Sequence, residues 1–374
     1  MSIDAMYASE RPAALPDPTQ IFTSVREVAI RMTDRIEPIE SPDETTIFPY
    51  HDLTVPDLSA VYAARKRIRE HLPRTPLVRA EALSAELDAD VYLKREDTLP
   101  TGAFKVRGGV NLVADLPDRF REPGLIAAST GNHGQSVSYA GRAVDVPVTI
   151  VVPEDANPGK VAAMERLGAT VVHHGETFDD ARERAETLAA DRGYRYVHSA
   201  NEPKLIAGVA TAGLEVVEEL PDVDAVINPI GGGSGAAAYC LSVGAVADAS
   251  VYGVQSAAAP GMYEAWKRGH LDPHDTMETF AEGLATTVPF ALTQEVLREH
   301  LEDFIVVSDD ELRASIRELL DDEHILAEGA GVAGIAGARR LGSELAGKTV
   351  VLPISGGNLS LEKLREILDA GECH

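Results

Sequence analysis

The chain has 374 residues, 44% of them hydrophobic, and its 60 acidic side chains outnumber 34 basic ones for a formal net charge of -26. Length and apolar content suffice for two globular domains with real cores and exclude a disordered chain. The charge excludes nucleic acid and anionic membrane surfaces as partners, and no run reaches the roughly 18 apolar residues that a membrane span needs. Cys240 and Cys373 are the only cysteines and form no zinc or disulfide pattern, and no basic-then-apolar leader opens the chain, so a cytoplasmic protein is expected. Only eight of the 34 basic residues are lysine. A surface this acidic repels itself in dilute salt, which points to a salt-rich, halophile-like cytoplasm.

Residues 1–52 hold several prolines, many acids and few aromatics, and read as an N-terminal extension, with residues 25–30 as a short strand or helix. A helix is expected over residues 57–71 with Ser59 as its cap. A strand at 91–93 then runs through Pro100-Thr101-Gly102 into a helix that begins at about Ala103. Lys105 therefore falls in the first helical turn, where unpaired N–H groups make the surroundings positive. That field and partial burial both lower an amine pKa, which suits Schiff-base chemistry with a carbonyl. A lone lysine on a helix is more often a surface residue, so other stretches must support the assignment.

Beyond Lys105, short apolar runs alternate with amphipathic stretches. Strands are expected at 125–128, 148–152, 170–172, 196–198, 225–227, 251–254 and 349–354, and helices at 134–143, 159–167 and 178–191. This βαβ rhythm predicts an α/β protein with two open, mostly parallel sheet domains. The expected large domain comprises 53–109 and 199–374, and the small one 110–198. Ligands in such folds gather at loops beyond the carboxyl ends of strands, here in the cleft between the domains.

Three loops answer Lys105. Ser129-Thr130-Gly131-Asn132-His133 follows a strand and opens a helix, so hydroxyls, an amide and N-terminal N–H groups converge in a cradle for a carboxylate or a ring oxygen. Taken alone, it is an ordinary capping turn with a structural histidine. Gly231-Gly232-Gly233-Ser234-Gly235 follows another strand, and its bare backbone can close on a phosphate with help from the next helix. Ser355-Gly356-Gly357-Asn358 ends the last strand, where a serine can hydrogen-bond a ring nitrogen without holding it protonated.

In this order, the four stretches resemble the fold-type II pyridoxal-phosphate enzymes, in particular the serine/threonine dehydratases. The resemblance covers roughly residues 53–367 and includes Arg74-Thr75-Pro76-Leu77, Leu205-Ile206-Ala207-Gly208, Gly253-Val254-Gln255-Ser256 and Ala327-Glu328-Gly329-Ala330-Gly331. It implies that Lys105, with Phe104 beside it, carries pyridoxal 5'-phosphate and later removes the Cα proton. It further implies that Asn132 bonds the ring hydroxyl, Gly231 to Gly235 the phosphate, and Ser355 the pyridine nitrogen. The loop Ser129 to His133 would hold the substrate carboxylate, and Glu328 matches a glutamate near the site.

The implied activity is L-threonine ammonia-lyase: α,β-elimination to 2-oxobutyrate and ammonia, with L-serine as a further substrate. The alternatives are a serine racemase or dehydratase and a 3-hydroxyaspartate dehydratase. Many dehydratases carry alanine where this chain has Thr130, and racemases place an acid/base serine there, so Thr130 is a second catalytic candidate. Members that bind a divalent cation use acids where Gln255 and Gly261 stand here, so no metal is expected. With so few residues after Asn358, the regulatory domain of some members is not expected here. A homo-oligomer, dimer or tetramer, acting on a small amino acid is expected.

Rival motifs fail on mechanism. Gly342 to Thr349 spells a Walker A loop, but in the expected order helix, loop, strand, which turns the helix dipole away from a phosphate. Gly329 to Gly334 spells a dinucleotide fingerprint with no strand before it, so close helix packing explains it better. His173 and His174 are adjacent on a strand and point to opposite faces, which prevents shared ligation. A non-catalytic scaffold would be expected to lose Lys105 or the glycine loop.

Unfolding midpoints should rise between tens of millimolar and molar salt, and greater stability in dilute salt would contradict it.

Overall fold

A computed structural model describes residues 53–370. Its first elements are α1 (Leu58–Ile68), β1 (Leu77–Arg79), α2 (Glu81–Leu87), β2 (Asp90–Lys94) and α3 (Lys105–Ala114). Then come β3 (Leu125–Ala128), α4 (Asn132–Ala143), β4 (Val148–Val152), α5 (Pro158–Arg166), β5 (Thr170–His173), α6 (Phe178–Arg192) and β6 (Arg195–Tyr196). The chain continues through α7 (Pro203–Glu219), β7 (Ala225–Pro229), α8 (Ser234–Cys240), α9 (Val243–Val246), β8 (Ser250–Ser256), α10 (Gly261–Arg268) and α11 (Ala291–His300). It closes with β9 (Asp303–Val307), α12 (Asp309–Asp322), α13 (Ala333–Leu341), β10 (Thr349–Pro353) and α14 (Leu361–Asp369).

The strands form two sheets. A six-stranded sheet has the order β1-β2-β10-β7-β8-β9, parallel except for β1 at its edge. A four-stranded sheet has the order β5-β4-β3-β6 and is parallel throughout. Strands such as β3 and β7 are buried along their whole length, as continuous apolar runs covered on both faces require. The last strand, β10, inserts between β2 and β7. The stretches carrying Lys105, Ser355 and Gly231 therefore leave the carboxyl ends of three neighbouring strands, β2, β10 and β7, where a doubly wound sheet opens a ligand crevice.

Close backbone packing locks α3 in place. A Cβ on Gly109 would overlap the Ser136 hydroxyl on α4 and come within 2.8 Å of the Ser136 carbonyl oxygen. On the other side, a Cβ on Gly108 would lie 2.9 Å from the Leu205 carbonyl on α7. The Gly108-Gly109 pair thus lets two helices approach α3 at once.

A buried charge cluster adds a second restraint. Arg107 donates to both Glu96 carboxylate oxygens at 2.7 and 2.8 Å and to those of Glu215 at 2.8 and 2.9 Å. Lys94 donates to Glu215 at 2.7 Å and to the Thr75 carbonyl at 2.8 Å. Burial alone would raise the Glu215 pKa, but its bonds to Arg107 and Lys94 bring it down to about 2.

Several expected boundaries move. The cap of α1 is Asp57 rather than Ser59: Asp57 is extended, and its carboxylate accepts from the Ala60 N–H at 2.8 Å while Ser59 donates to it. That helix ends at Ile68, short of residue 71. Asn157 caps α5 over Pro158, one residue before the expected start. The expected element at 25–30 lies outside the described residues. The Walker-like string joins α13 to β10 in the order helix, loop, strand. In the fingerprint-like string, a Cβ on Gly334 would lie 2.6 Å from the Ile227 carbonyl, so that glycine serves the packing of α13 on β7. Among the described residues, no helix is long and apolar enough to cross a membrane.

Gly109→Ala is expected to cost about 1–3 kcal/mol of stability through overpacking, read as a lower denaturant midpoint. An unchanged midpoint would show that α3 and α4 do not need their close approach.

Candidate active site

Lys105 is the first residue of α3 and takes its position from the turn beyond β2. Its amine donates to the Ser199 carbonyl at 3.1 Å and to the Ser234 hydroxyl at 3.2 Å, next to the glycine loop. No carboxylate pairs with it among the described residues. Burial without a counter-charge lowers its pKa to about 8. The residue as a whole is only half-buried, but the surroundings of the amine end set the titration. The Phe104 ring centroid lies 5.4 Å from the amine, and the Lys105 carbonyl accepts from the Ser136 hydroxyl at 2.7 Å.

The loop after β3 folds around the Ser129 hydroxyl, which accepts from the N–H groups of Gly131 at 3.2 Å and Gly134 at 2.9 Å. The N–H groups of Asn132 and His133 have no acceptor among the described residues. A Cβ on Gly131 would meet nothing within 4 Å. Two donors at a helix N-terminus beside open space make a cradle for an anion. Thr130 is half-buried beside it.

His133 is buried, and its Nε2 lies 2.9 Å from the Val197 carbonyl, so that nitrogen carries the proton. Burial, and then the Lys105 charge, lower its pKa to about 4. The ring is therefore neutral, and its buried Nδ1 has no partner among the described residues.

The glycine loop lies between β7 and α8. Gly233 has φ +88°, which favours glycine, and a Cβ on Gly231 would overlap the Gly283 carbonyl oxygen. Because α8 has only seven residues, the loop's own N–H groups, rather than a long helix dipole, supply most of the attraction for an anion. A Cβ on Gly235 would lie 3.6 Å from the Phe104 ring and 3.1 Å from Asn228 Oδ1. The Asn228 amide nitrogen is buried without a partner among the described residues.

Ser355 is buried after β10, and its carbonyl accepts from the Phe104 N–H at 3.0 Å. Asn132 donates to Glu328 Oε1 at 2.7 Å. Burial raises the Glu328 pKa, and the Asn132 bond works against that rise. Among the described residues, no three His, Cys, Asp or Glu side chains converge on a common point.

These parts fit a carbonyl-bearing, anionic cofactor: an amine of lowered pKa, unpaired donors on one loop, a bare glycine backbone on another, and buried polar atoms without partners among the described residues. The family model of pyridoxal-phosphate-dependent enzymes matches residues 68–356. The chain belongs to that family. An L-threonine ammonia-lyase of Thermotoga maritima is 34% identical over 315 residues, covering 84% of this chain and 78% of that protein. An L-threo-3-hydroxyaspartate ammonia-lyase of Saccharomyces cerevisiae is 33% identical over 325 residues, covering 86% of this chain and 98% of that protein. Among solved structures, the processed threonine deaminase isoform 2 of Solanum lycopersicum superimposes with a TM-score of 0.81 at 27% identity, over 92% of this chain and 95% of that one. The cofactor of the family is pyridoxal phosphate.

Sequence reasoning missed Ser199, Asn228 and Asn358 as parts of the site, and Arg107 as the anchor beneath it. Asn358 was in view as the last letter of its string. Its amide donates to Asn132 Oδ1 at 2.7 Å and to the Thr101 carbonyl at 2.8 Å. Ser199 contributes only a backbone carbonyl, which leaves no side-chain signature.

With a pKa of about 8, the Lys105 amine becomes neutral as pH rises through that value. The rate of cofactor capture by apoenzyme should climb through pH 8 and then level off. A midpoint near the ordinary lysine value of 10.5 would contradict it.

Proposed function

We propose that the protein is an L-threonine ammonia-lyase that releases 2-oxobutyrate and ammonia and also acts on L-serine. The carrying observation is the Lys105 amine, without a counter-charge and 3.2 Å from the hydroxyl that borders the glycine loop. The 34%-identical ammonia-lyase supports threonine as substrate.

In this reading, Lys105 holds the cofactor and Gly231 to Gly235, with Ser234, grip its phosphate through backbone N–H groups and a hydroxyl. Asn132 donates to the ring oxygen. The Ser355 hydroxyl bonds the ring nitrogen and, being a weak acid, leaves it neutral. When bound, pyridoxal phosphate supplies an aldehyde for amine exchange and a conjugated ring that takes up negative charge from the substrate α-carbon. The N–H groups of Asn132 and His133 hold the substrate carboxylate, and Ser129 shapes the loop that presents them. Lys105 Nζ, neutral above pH of about 8, takes the proton from Cα. Neutral His133 keeps its ring in place through Val197 and adds no positive charge beside the amine. Thr130 is the candidate acid/base at the carboxylate loop, and a proton returned from it would give racemisation instead of elimination.

Threonine and serine differ by one methyl group, worth about 1–3 kcal/mol in a pocket. The test is 2-oxo acid release from L-threonine, L-serine and L-threo-3-hydroxyaspartate, with the chirality of residual serine followed. The highest kcat/KM is expected for threonine, with serine remaining in the L form. Faster turnover of hydroxyaspartate, or accumulation of D-serine, would overturn the assignment.

A further inference from the structure

Two loops that leave neighbouring strands are stitched together at the cofactor cleft. After β2, the turn offers the carbonyls of Thr101 and Gly102; after β10, the chain offers Gly357 and Asn358. The Gly357 N–H donates to the Gly102 carbonyl at 2.9 Å, and the Phe104 N–H donates to the Ser355 carbonyl at 3.0 Å. The Asn358 side chain adds a bond to the same turn, at the Thr101 carbonyl.

Its orientation follows from donor chemistry. A backbone carbonyl only accepts, so the Asn358 group 2.8 Å from the Thr101 oxygen is the NH2. The second hydrogen of that NH2 goes to Asn132 at 2.7 Å, so Asn132 must answer with Oδ1. The Asn132 NH2 is then turned the other way, with one hydrogen donated to Glu328 Oε1 at 2.7 Å and the other left over. Turning Asn358 would set its oxygen against the Thr101 carbonyl. Turning Asn132 alone would set two NH2 groups against each other.

Gly102 closes the arrangement. It has φ +67°, and a Cβ there would lie 2.7 Å from Asn358 Oδ1. The amide therefore occupies the space that any other residue at 102 would fill.

We propose that Asn358 is a positioning residue: anchored on the Thr101 carbonyl, it turns the Asn132 amide so that one N–H is presented to the ring oxygen of pyridoxal phosphate. This rests on the assignment of Asn132 to that oxygen. Glu328 holds the same NH2 from its far side, so Asn132 is clamped between an obligate donor and an acceptor. Asn358 itself has no hydrogen left for the cofactor.

The test measures cofactor binding to apoenzyme in Asn358→Asp, Asn358→Ala, Asn132→Ala and the double alanine variant. Asn358→Asp replaces the donor with an oxygen facing two acceptors. It should raise the Kd for pyridoxal phosphate about tenfold, on the scale of one polar hydrogen bond. It should also shift the balance of the long- and short-wavelength absorption bands, which reports the proton on the ring oxygen. Competition by inorganic phosphate for the glycine loop should be unchanged. The double alanine variant should bind no worse than Asn132→Ala, because Asn358 acts through Asn132. Melting of each apo form checks folding, and should Asn358→Asp fail to fold, Asn358→Ala carries the same readouts.

Unchanged Kd and bands in the Asn358 variants, alongside an impaired Asn132→Ala, would overturn the relay alone. Fully additive effects, or a parallel loss of inorganic phosphate affinity, would overturn it as well. A silent Asn132→Ala would overturn both the relay and the assignment beneath it.

Discussion

Counter-charge decides the chemistry of this protein. Beneath the start of α3, Arg107 and Lys94 meet Glu96 and Glu215 in a buried group of two positive and two negative side chains. Desolvation disfavours each charge, but the hydrogen bonds among them are numerous enough that Glu215 stays ionised down to about pH 2. Two residues before Arg107 on the same helix, the Lys105 amine hydrogen-bonds a carbonyl and a hydroxyl and pairs with no carboxylate among the described residues. The same desolvation, unopposed, brings it to about 8. One helix thus carries a cation that cannot give up its proton and an amine that readily can.

The charged group also has a mechanical effect. Arg107 ties α3 to Glu96, just past β2, and to Glu215 on α7, while Gly108 and Gly109 let α7 and α4 close on its two sides. Removing one partner of such a cluster leaves an uncompensated buried charge, which costs about 3–5 kcal/mol. Lys105 therefore sits on a rigid element, as the role proposed for it, meeting a cofactor and a substrate carbon in turn, would require. The loops around it come from the carboxyl ends of β2, β10, β7 and β3, so the active site belongs to the topology as much as to any single motif.

Much of this was legible in the sequence. Strands such as β3, β4 and β10 are continuous apolar runs, and the loops carrying Lys105, Ser129, Gly231 and Ser355 fall directly after strands, where glycines and hydroxyls stand out; the parallel strand β9 was not among the expected ones. The β1 strand has three residues and was too short to signal itself. Asp57 and Ser59 are both capping residue types, and only backbone geometry chooses Asp57. The buried cluster was not legible: apolar periodicity does not say which charged side chains face inward, and Glu96 and Glu215 are 119 residues apart, so ordinary helix and turn patterns conceal them. Asn358 was legible as a letter but not as a role, because its function depends on a carbonyl at Thr101 that only the sheet order brings near.

The central claim is that one amine, deprived of a counter-charge by its surroundings, carries the cofactor. Holoenzyme treated with borohydride, digested and analysed by peptide mass spectrometry tests it most directly. The account predicts reduced pyridoxyl phosphate on the peptide containing Lys105 and on none containing the other seven lysines. The label on another lysine, or covalent capture that survives Lys105→Ala, would contradict it.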